Sequence, residues 1–412
     1  PPNLPDCQNP ILTPSLTQVR AQFPALDQEC IYLENAGGSQ VPEGVADAIR
    51  RYLTQTYVQL GAPYEVARRS TAVVDEAHMF ANRFMNGEGH GTTILGPSTT
   101  QLVTMLAECY SRLLRPGDEV IVCETAHEAN AGPWAKLERF GIVVKLWRMD
   151  PVTFQCSLDD LRSLLTPRTR LVAFPHVSNL LGDVVDVAAI TRVVHEAGAR
   201  VVVDGVAYAP HRAIDVAGWD VDYYVYSAYK VYGPHMAALY ARQDALEELE
   251  GPNHFFLPNG NAYKFELGGA NHESCAGLLA LGDYLSFLAG GGDGRSRTVI
   301  ERAFETVEAL ELPLQAQLLE ALNANPRVRV IGPKTSGRER VCTISFLHEH
   351  LSPPEITART DAAGIGIRYG HMYAYRMCVA LGINTDTGVT RISMAHYNTP
   401  QEIERLLDVM AL

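Results

Sequence analysis

RVVVDGVAYAPHRAIDVAGWDVDYYVYSAYK, residues 200–230, contains two β-rich runs, RVVVD at 200–204 and DYYVY at 222–226. Three consecutive valines bury the base of Asp204. A carboxylate there is costly unless a cation or a hydrogen-bond donor partners it. The second run continues into Ser227-Ala228-Tyr229-Lys230. The chain has only five lysines (136, 145, 230, 264, 334) against 29 arginines, and Lys230 alone sits at the carboxyl end of such a run. Arginine serves well for surface charge, whereas only lysine can form a Schiff base.

Five further runs share this character: TTILG at 92–96, EVIVC at 119–123, IVVKL at 142–146, RLVAF at 170–174 and MAALY at 236–240. Amphipathic stretches at 99–114, 127–139 and 185–196 separate most of them. The alternation predicts an α/β fold whose seven-stranded, mostly parallel sheet is covered by helices on both faces, a large domain over 31–289. After Leu288 the run AGGGDGRSR reads as a hinge or loop. A long helix around 298–324, the run VCTISFL, PPEITARTDAAG, a short strand and a helix from Pro400 then read as a smaller α+β domain. Residues 1–30, with the short helix in SLTQVRAQFPAL, are expected to pack on that unit, so 1–30 and 290–412 form the second domain.

Composition removes several classes. The 412 residues are 47% hydrophobic and 20% charged, ordinary usage for a folded protein of two or three domain equivalents. The net charge of −13, with no Lys/Arg-rich run, argues against nucleic acid. No apolar stretch is long enough to span a membrane, and Pro1 to Pro10 has neither a basic nor an apolar leader pattern, so a cytoplasmic protein is expected. The eight cysteines are scattered with no C-x-x-C pair, which indicates neither a disulfide framework nor a zinc knuckle. His348-Glu349-His350 is the densest ligand-like cluster, but no third partner stands at a recognisable spacing and a solvated loop accounts for it better. The glycines of 290–294 follow a helix rather than a strand, unlike a dinucleotide-binding turn.

Open α/β sheets bind ligands at the carboxyl ends of their strands. After the first run, Gly96-Pro97-Ser98-Thr99-Thr100 leads directly into a helix, offering backbone N–H groups and hydroxyls to a phosphate. His127 and Asn130 follow the second run; His176, Ser178 and Asn179 follow the fourth. An acid and a lysine on neighbouring strands, beside a phosphate-binding helix start, are the parts that pyridoxal phosphate requires. The acid keeps the pyridine nitrogen protonated, and the lysine holds the aldehyde and then acts as a base at Cα.

With these residues the sequence resembles the class V aminotransferase family of fold-type-I pyridoxal-phosphate enzymes, in particular its cysteine-desulfurase-like branch. The likeness runs from IYLENAGGSQVP at 31–42 to TRISMAHYNTP at 390–400. It implies that Lys230 carries the cofactor, Asp204 partners the pyridine nitrogen and His127, in ETAHEANAGPW, stacks on the ring. Asn179, in HVSNLLG, falls near the cofactor hydroxyl and the substrate. Ser98, Thr99, Thr100 and Ser227 fall where the family holds the phosphate. His211 closes a D-G-x-x-x-x-P-H segment assigned to the cofactor, and Arg391 grips the substrate's α-carboxylate. Asn35, in the first of these stretches, is implied to bind substrate. The resemblance also implies a small amino-acid substrate and a homodimer in which Tyr64 and Arg68 reach the partner's site.

The departures are informative. Desulfurases carry a cysteine in a loop of type R-x-G-x-x-C-A, whereas RYGHMYAYRM places Tyr373 there. Cys378 lies five residues later and reads as core, as does Cys275, which is nearer the expected dimer interface. Tyr229 precedes the lysine where desulfurases have histidine, Ala207 replaces their glutamine, and Gly269 in KFELGGANHE replaces a threonine that reaches the neighbouring phosphate. The branch without the loop cysteine includes isopenicillin N epimerase-like enzymes and sulfoxide C–S lyases. Elimination of a side-chain leaving group, a C–S lyase reaction when that group is sulfur, is therefore the leading expectation. Epimerisation, transamination or cyclisation is the alternative, with Tyr373 as a proton donor or acceptor or as an aromatic wall. A binding protein that kept the fold without the chemistry would not need Asp204, Lys230 and Arg391 together.

Overall fold

A computed structural model describes residues 13–410; Pro1 to Pro10, with Cys7, lies outside the described residues. The strand β1 (Ile31–Tyr32) is followed by β2 (Gly91–Gly96), β3 (Glu119–Cys123), β4 (Val143–Trp147), β5 (Thr169–Pro175), β6 (Arg200–Asp204), β7 (Tyr223–Ser227) and β8 (Ala237–Arg242). The last seven form one sheet in the order β2-β8-β7-β6-β5-β3-β4. Each matches one of the seven runs read from the sequence. Only β8 runs against its neighbours; the other pairings are parallel.

The sheet's two faces follow the period-2 alternation of the runs. Val201, Val203, Tyr224 and Tyr226 enter one core, while Val202, Tyr223 and Val225 enter the other. Helices cover both faces, so every residue of β3 and β7 is buried. The helices Thr99–Leu113 and Val187–Glu196 lie where expected. The expected helix at 127–139 is instead three short pieces: Glu128–Asn130, Gly132–Ala135 and Lys136–Phe140. Pro133 stands in the first turn of the middle piece and has no N–H to donate, so the bond that would tie it back to Ala129 is not made.

Beyond the glycine-rich loop runs the helix Arg297–Ala324. Then come β9 (Val328–Ile331), β10 (Thr343–His348), β11 (Ile365–Gly366), β12 (Arg368–Gly370) and β13 (Val389–Ser393). Four of these make an antiparallel sheet, β12-β13-β10-β9, while β11 pairs in parallel with β1. A separate core, with Leu33, Leu318, Ile344, Phe346 and Ile392, sits under this sheet.

The short helix Leu16–Arg20 starts with a capping box between Ser15 and Gln18. Arg20 bonds the Tyr397 carbonyl at 2.7 Å and pairs with Glu402 at 3.0 Å, while Val19, Phe23 and Leu26 enter the core beneath the large sheet, so the segment touches both units. Phe23 wedges between Tyr284 and Tyr397, with ring centroids at 5.3 and 4.6 Å. Among the described residues no helix is long and apolar enough to cross a membrane.

Candidate active site

One cleft opens at the carboxyl ends of the parallel strands. Ten residues singled out in the sequence line it: the expected site residues Ser98, Thr99, Thr100, His127, Asn179, Asp204, Ser227 and Lys230, and the departures Ala207 and Tyr229. Ser98 caps the helix that follows β2, accepting the Gln101 N–H at 3.2 Å. Thr99 is buried, and its hydroxyl meets that of Ser227, at the end of β7, at 2.8 Å. Leu95, just before this turn, donates its N–H to the buried Glu266 carboxylate at 2.7 Å, which braces the turn from behind.

Asp204 ends β6, and its Oδ1 accepts the Val206 N–H at 2.9 Å. Burial raises its carboxyl pKa, against the Val206 bond and the charge of Lys230. Lys230 closes the short turn Ala228–Lys230 after β7. Burial, and then the Arg391 charge, lowers its ammonium to about 8, with Asp204 and Glu34 acting the other way. His127 accepts the Ala129 N–H on Nδ1 at 3.0 Å, so Nε2 carries its proton. Burial, with Lys230 and Arg391 nearby, pushes its pKa down to about 4 and keeps the ring neutral.

Asn179 donates to the Met372 carbonyl at 2.8 Å, and its own carbonyl accepts from Arg391 at 3.1 Å. Arg391 is buried on β13; burial lowers its pKa to about 10, which leaves it charged. Its Nε and Asn179 Oδ1 are buried without a partner among the described residues. Tyr373 is 64% exposed, with its ring 5.1 Å from that of His127.

Other predicted site residues lie elsewhere. His211 is committed to Glu311 at 2.9 Å and lines a smaller cavity on the other side of Lys230, with Asn35. Asn35 itself bonds the Ser393 carbonyl at 2.9 Å and Asn398 at 3.1 Å and accepts from Tyr397, so its polar atoms brace the two units. Gly269 has φ +83° and is not among the residues lining the cleft. Tyr64 is 51% exposed, and Arg68 pairs locally with Glu65. Cys378 and Cys275 are both buried in helices, their thiols pushed up by burial to about 11 and about 12. His176 stacks on Tyr208 at 3.6 Å and bonds Tyr224, while Asn130 accepts from Trp134 at 3.0 Å, so both are satisfied core groups. His348 accepts two turn N–H groups, from His350 and Leu351.

Two residues escaped the sequence reading. Arg368 on β12 stands directly opposite Arg391 on β13. Its Nε pairs with Glu34 at 2.7 Å, and Glu34 also lies 4.0 Å from Arg391. Only the register of two strands separated by a long loop brings these charges together.

The residues present fit pyridoxal phosphate. A hydroxyl pair stands at the start of a long helix, suited to a phosphate. A buried carboxylate, a half-buried amine and a neutral ring line the same cleft, and unpartnered polar atoms adjoin it. Residues 31–406 match the family model for class-V aminotransferases. The chain is 38% identical to the aminotransferase-like protein FGM3 of Gibberella zeae, over 95% of this chain and 97% of that one. It is 30% identical to a probable cysteine desulfurase of Vibrio cholerae, over 95% and 97% of the two chains. The crystal structure of the cysteine desulfurase CsdA from Escherichia coli superposes with a TM-score of 0.83 at 27% identity, covering 97% of this chain and 98% of that one. Fold, cleft and relatives agree: the chain belongs to the class-V aminotransferase family and is a pyridoxal-phosphate-dependent enzyme of fold type I.

Proposed function

We propose that the enzyme takes a small amino acid, removes its Cα proton and eliminates a side-chain leaving group, as a C–S lyase does when that group is sulfur. The observation that carries this reading is the convergence of the Lys230 amine, lowered to about 8, with Asp204 in one cleft beside the buried Arg391. When bound, pyridoxal phosphate supplies an electron sink for the pair left at Cα. Ser98, Thr99, Thr100 and Ser227 would hold its phosphate, and neutral His127 would offer its ring to the cofactor's. Asp204 keeps a proton on the pyridine nitrogen. Lys230 is the amine that would hold the aldehyde, and its Nζ, poised near pH 8, is neutral often enough to serve as the base for a Cα proton. Arg391 binds the α-carboxylate, its fork steadied by the Asn179 carbonyl.

Exposed Tyr373 above His127 supports a second reading, in which its hydroxyl donates or accepts a proton for epimerisation, transamination or cyclisation. The printed name of the Gibberella zeae relative, aminotransferase-like, points the same way. The exposed apolar side chains of Phe255, Phe256 and Leu267 support a homodimer. Seven unpaired thiols among the described residues suit a reducing compartment such as the cytoplasm.

Cysteine, a cysteine sulfoxide and a cysteine S-conjugate, incubated separately, test the elimination. Pyruvate or ammonia is expected from at least one, and none from any of them overturns it. Tyr373→Phe is expected to lower turnover with the cofactor's visible band intact; an unaltered rate removes Tyr373 from the mechanism.

A further inference from the structure

Two segments from different units meet at the mouth of the cleft. The loop 370–376 leaves β12, and the residues after His127 belong to the large sheet. Their contacts form a short chain of bonds. Glu128 donates its N–H to the Tyr373 carbonyl at 2.8 Å. Arg376 returns a two-pronged bond to the same residue, Nε to Glu128 Oε2 at 3.1 Å and Nη2 to Oε1 at 3.2 Å. Gly132 makes room for this carboxylate, since a Cβ there would fall 2.6 Å from Glu128 Oε1.

The loop is held in a conformation that it would not keep unaided. Met372 and Tyr373 are consecutive non-glycine residues with φ of +46° and +61°. L side chains rarely adopt that region, so outside contacts must over-determine it. Those contacts are the Glu128 bonds and the Asn179 amide on the Met372 carbonyl. At the loop's base, Gly370 lies so near Gly388 that a Cβ on Gly388 would meet the Gly370 carbonyl carbon at 1.9 Å. The base is therefore fixed, Met372 and Ala374 are buried against Leu180, Leu181 and Met377, and the exposed side chain left to swing is Tyr373, next to the Arg376–Glu128 pair.

We infer that Glu128 and Arg376 are positioning residues whose paired side chains latch the 370–376 loop across the cleft mouth, keep Tyr373 against His127 and govern which amines reach Lys230. Both side chains are partly exposed, at 43% and 36%, so the latch is weak enough to open and sensitive to salt. The inference rests on the proposed cleft as the seat of cofactor and substrate, and not on which reaction follows.

The test uses the holoenzyme with Glu128→Gln, Arg376→Ala and the conservative Arg376→Lys. Hydroxylamine is the probe: its amine bonds the cofactor's aldehyde carbon as an oxime, and the Lys230 nitrogen leaves as the free amine. Its rate of stripping the visible band reports opening without any turnover. The first two variants should be stripped about two- to fivefold faster than wild type, with Arg376→Lys between them and wild type. High salt should speed the wild type but not Arg376→Ala. Hydrogen exchange at 370–376 should rise in parallel. Unchanged stripping and unchanged exchange in both Glu128→Gln and Arg376→Ala overturn the latch. If the wild type forms no visible band, the cofactor reading fails instead; exchange at 370–376 in the cofactor-free chain then decides the latch alone, a rise upholding it and no change overturning it.

Discussion

Thr99 and Ser227 join their hydroxyls at 2.8 Å across the start of one helix and the end of another strand, 128 residues apart in sequence. Each holds the other's rotamer, so the pair is preorganised for an anion. Thr99→Val keeps the shape and removes the donor. Titration of the cofactor-free protein with pyridoxal phosphate should show a dissociation constant raised about tenfold, equivalent to ~1.4 kcal/mol. An unchanged constant would mean that the phosphate sits elsewhere.

The lowered pKa of Lys230 has a definite direction in pH. Its amine should take up pyridoxal phosphate with a midpoint near pH 8 rather than the usual 10.5. Arg391→Met removes a neighbouring positive charge, which favours the ammonium, so the midpoint should move upward. Stability follows the same sign. Between about pH 8 and 10.5 the unfolded chain holds the extra proton, so the cofactor-free protein should gain stability as pH rises through that window. Stopped-flow uptake and urea unfolding across that range check the two halves separately.

Acid should act in the opposite sense through the buried histidines. Burial pushes His127 to about 4, and His176 and His396 to about 3. Below pH 6.5 the unfolded chain binds protons that these rings refuse, so their stabilisation is lost progressively toward pH 3. His176→Phe keeps a ring beside Tyr208 without a titrating nitrogen. Its unfolding curve should be flatter than wild type between pH 6.5 and 4, whatever its stability at pH 7. Equal slopes would show that His176 does not contribute.

Phe23 is fully buried between aromatic rings of both units. Phe23→Ala should cost about 3–5 kcal/mol in urea unfolding, from lost burial and the cavity left behind. The visible cofactor band should survive below the transition, because the rings that Phe23 meets, those of Tyr232, Tyr284, His396 and Tyr397, are not among the residues lining the cleft. A loss under 1 kcal/mol would show that the N-terminal segment does not contribute to joining the units.

The large sheet was legible because its runs are continuous and apolar, and the catalytic candidates follow directly after them. Asp204, Lys230 and Thr99 needed only their place at a strand's end. The stretch 127–139 misled because its apolar spacing is helical while Pro133 leaves one rung of the ladder unmade. His211 matched a motif, yet Glu311, 100 residues later, occupies its nitrogen. Arg368, Glu34, Glu128 and Arg376 matter through partners far away in the chain. Their pairing depends on strand register and on how the units meet, and neither leaves a local pattern in sequence.

The pairing of β1 with β11 has a temporal side. Leu33 donates its N–H to the Gly366 carbonyl of β11 and also meets Ser393, 360 residues away, so the unit that holds Arg391 closes only after residue 393 has been made. The seven-stranded sheet, with Asp204 and Lys230, has by then already emerged, and most residues of its two cores lie before residue 290. A growing chain can thus form most of its cofactor seat before it owns an anchor for a substrate's carboxylate. Translation itself delays that anchor until Leu33 and Ser393 have met.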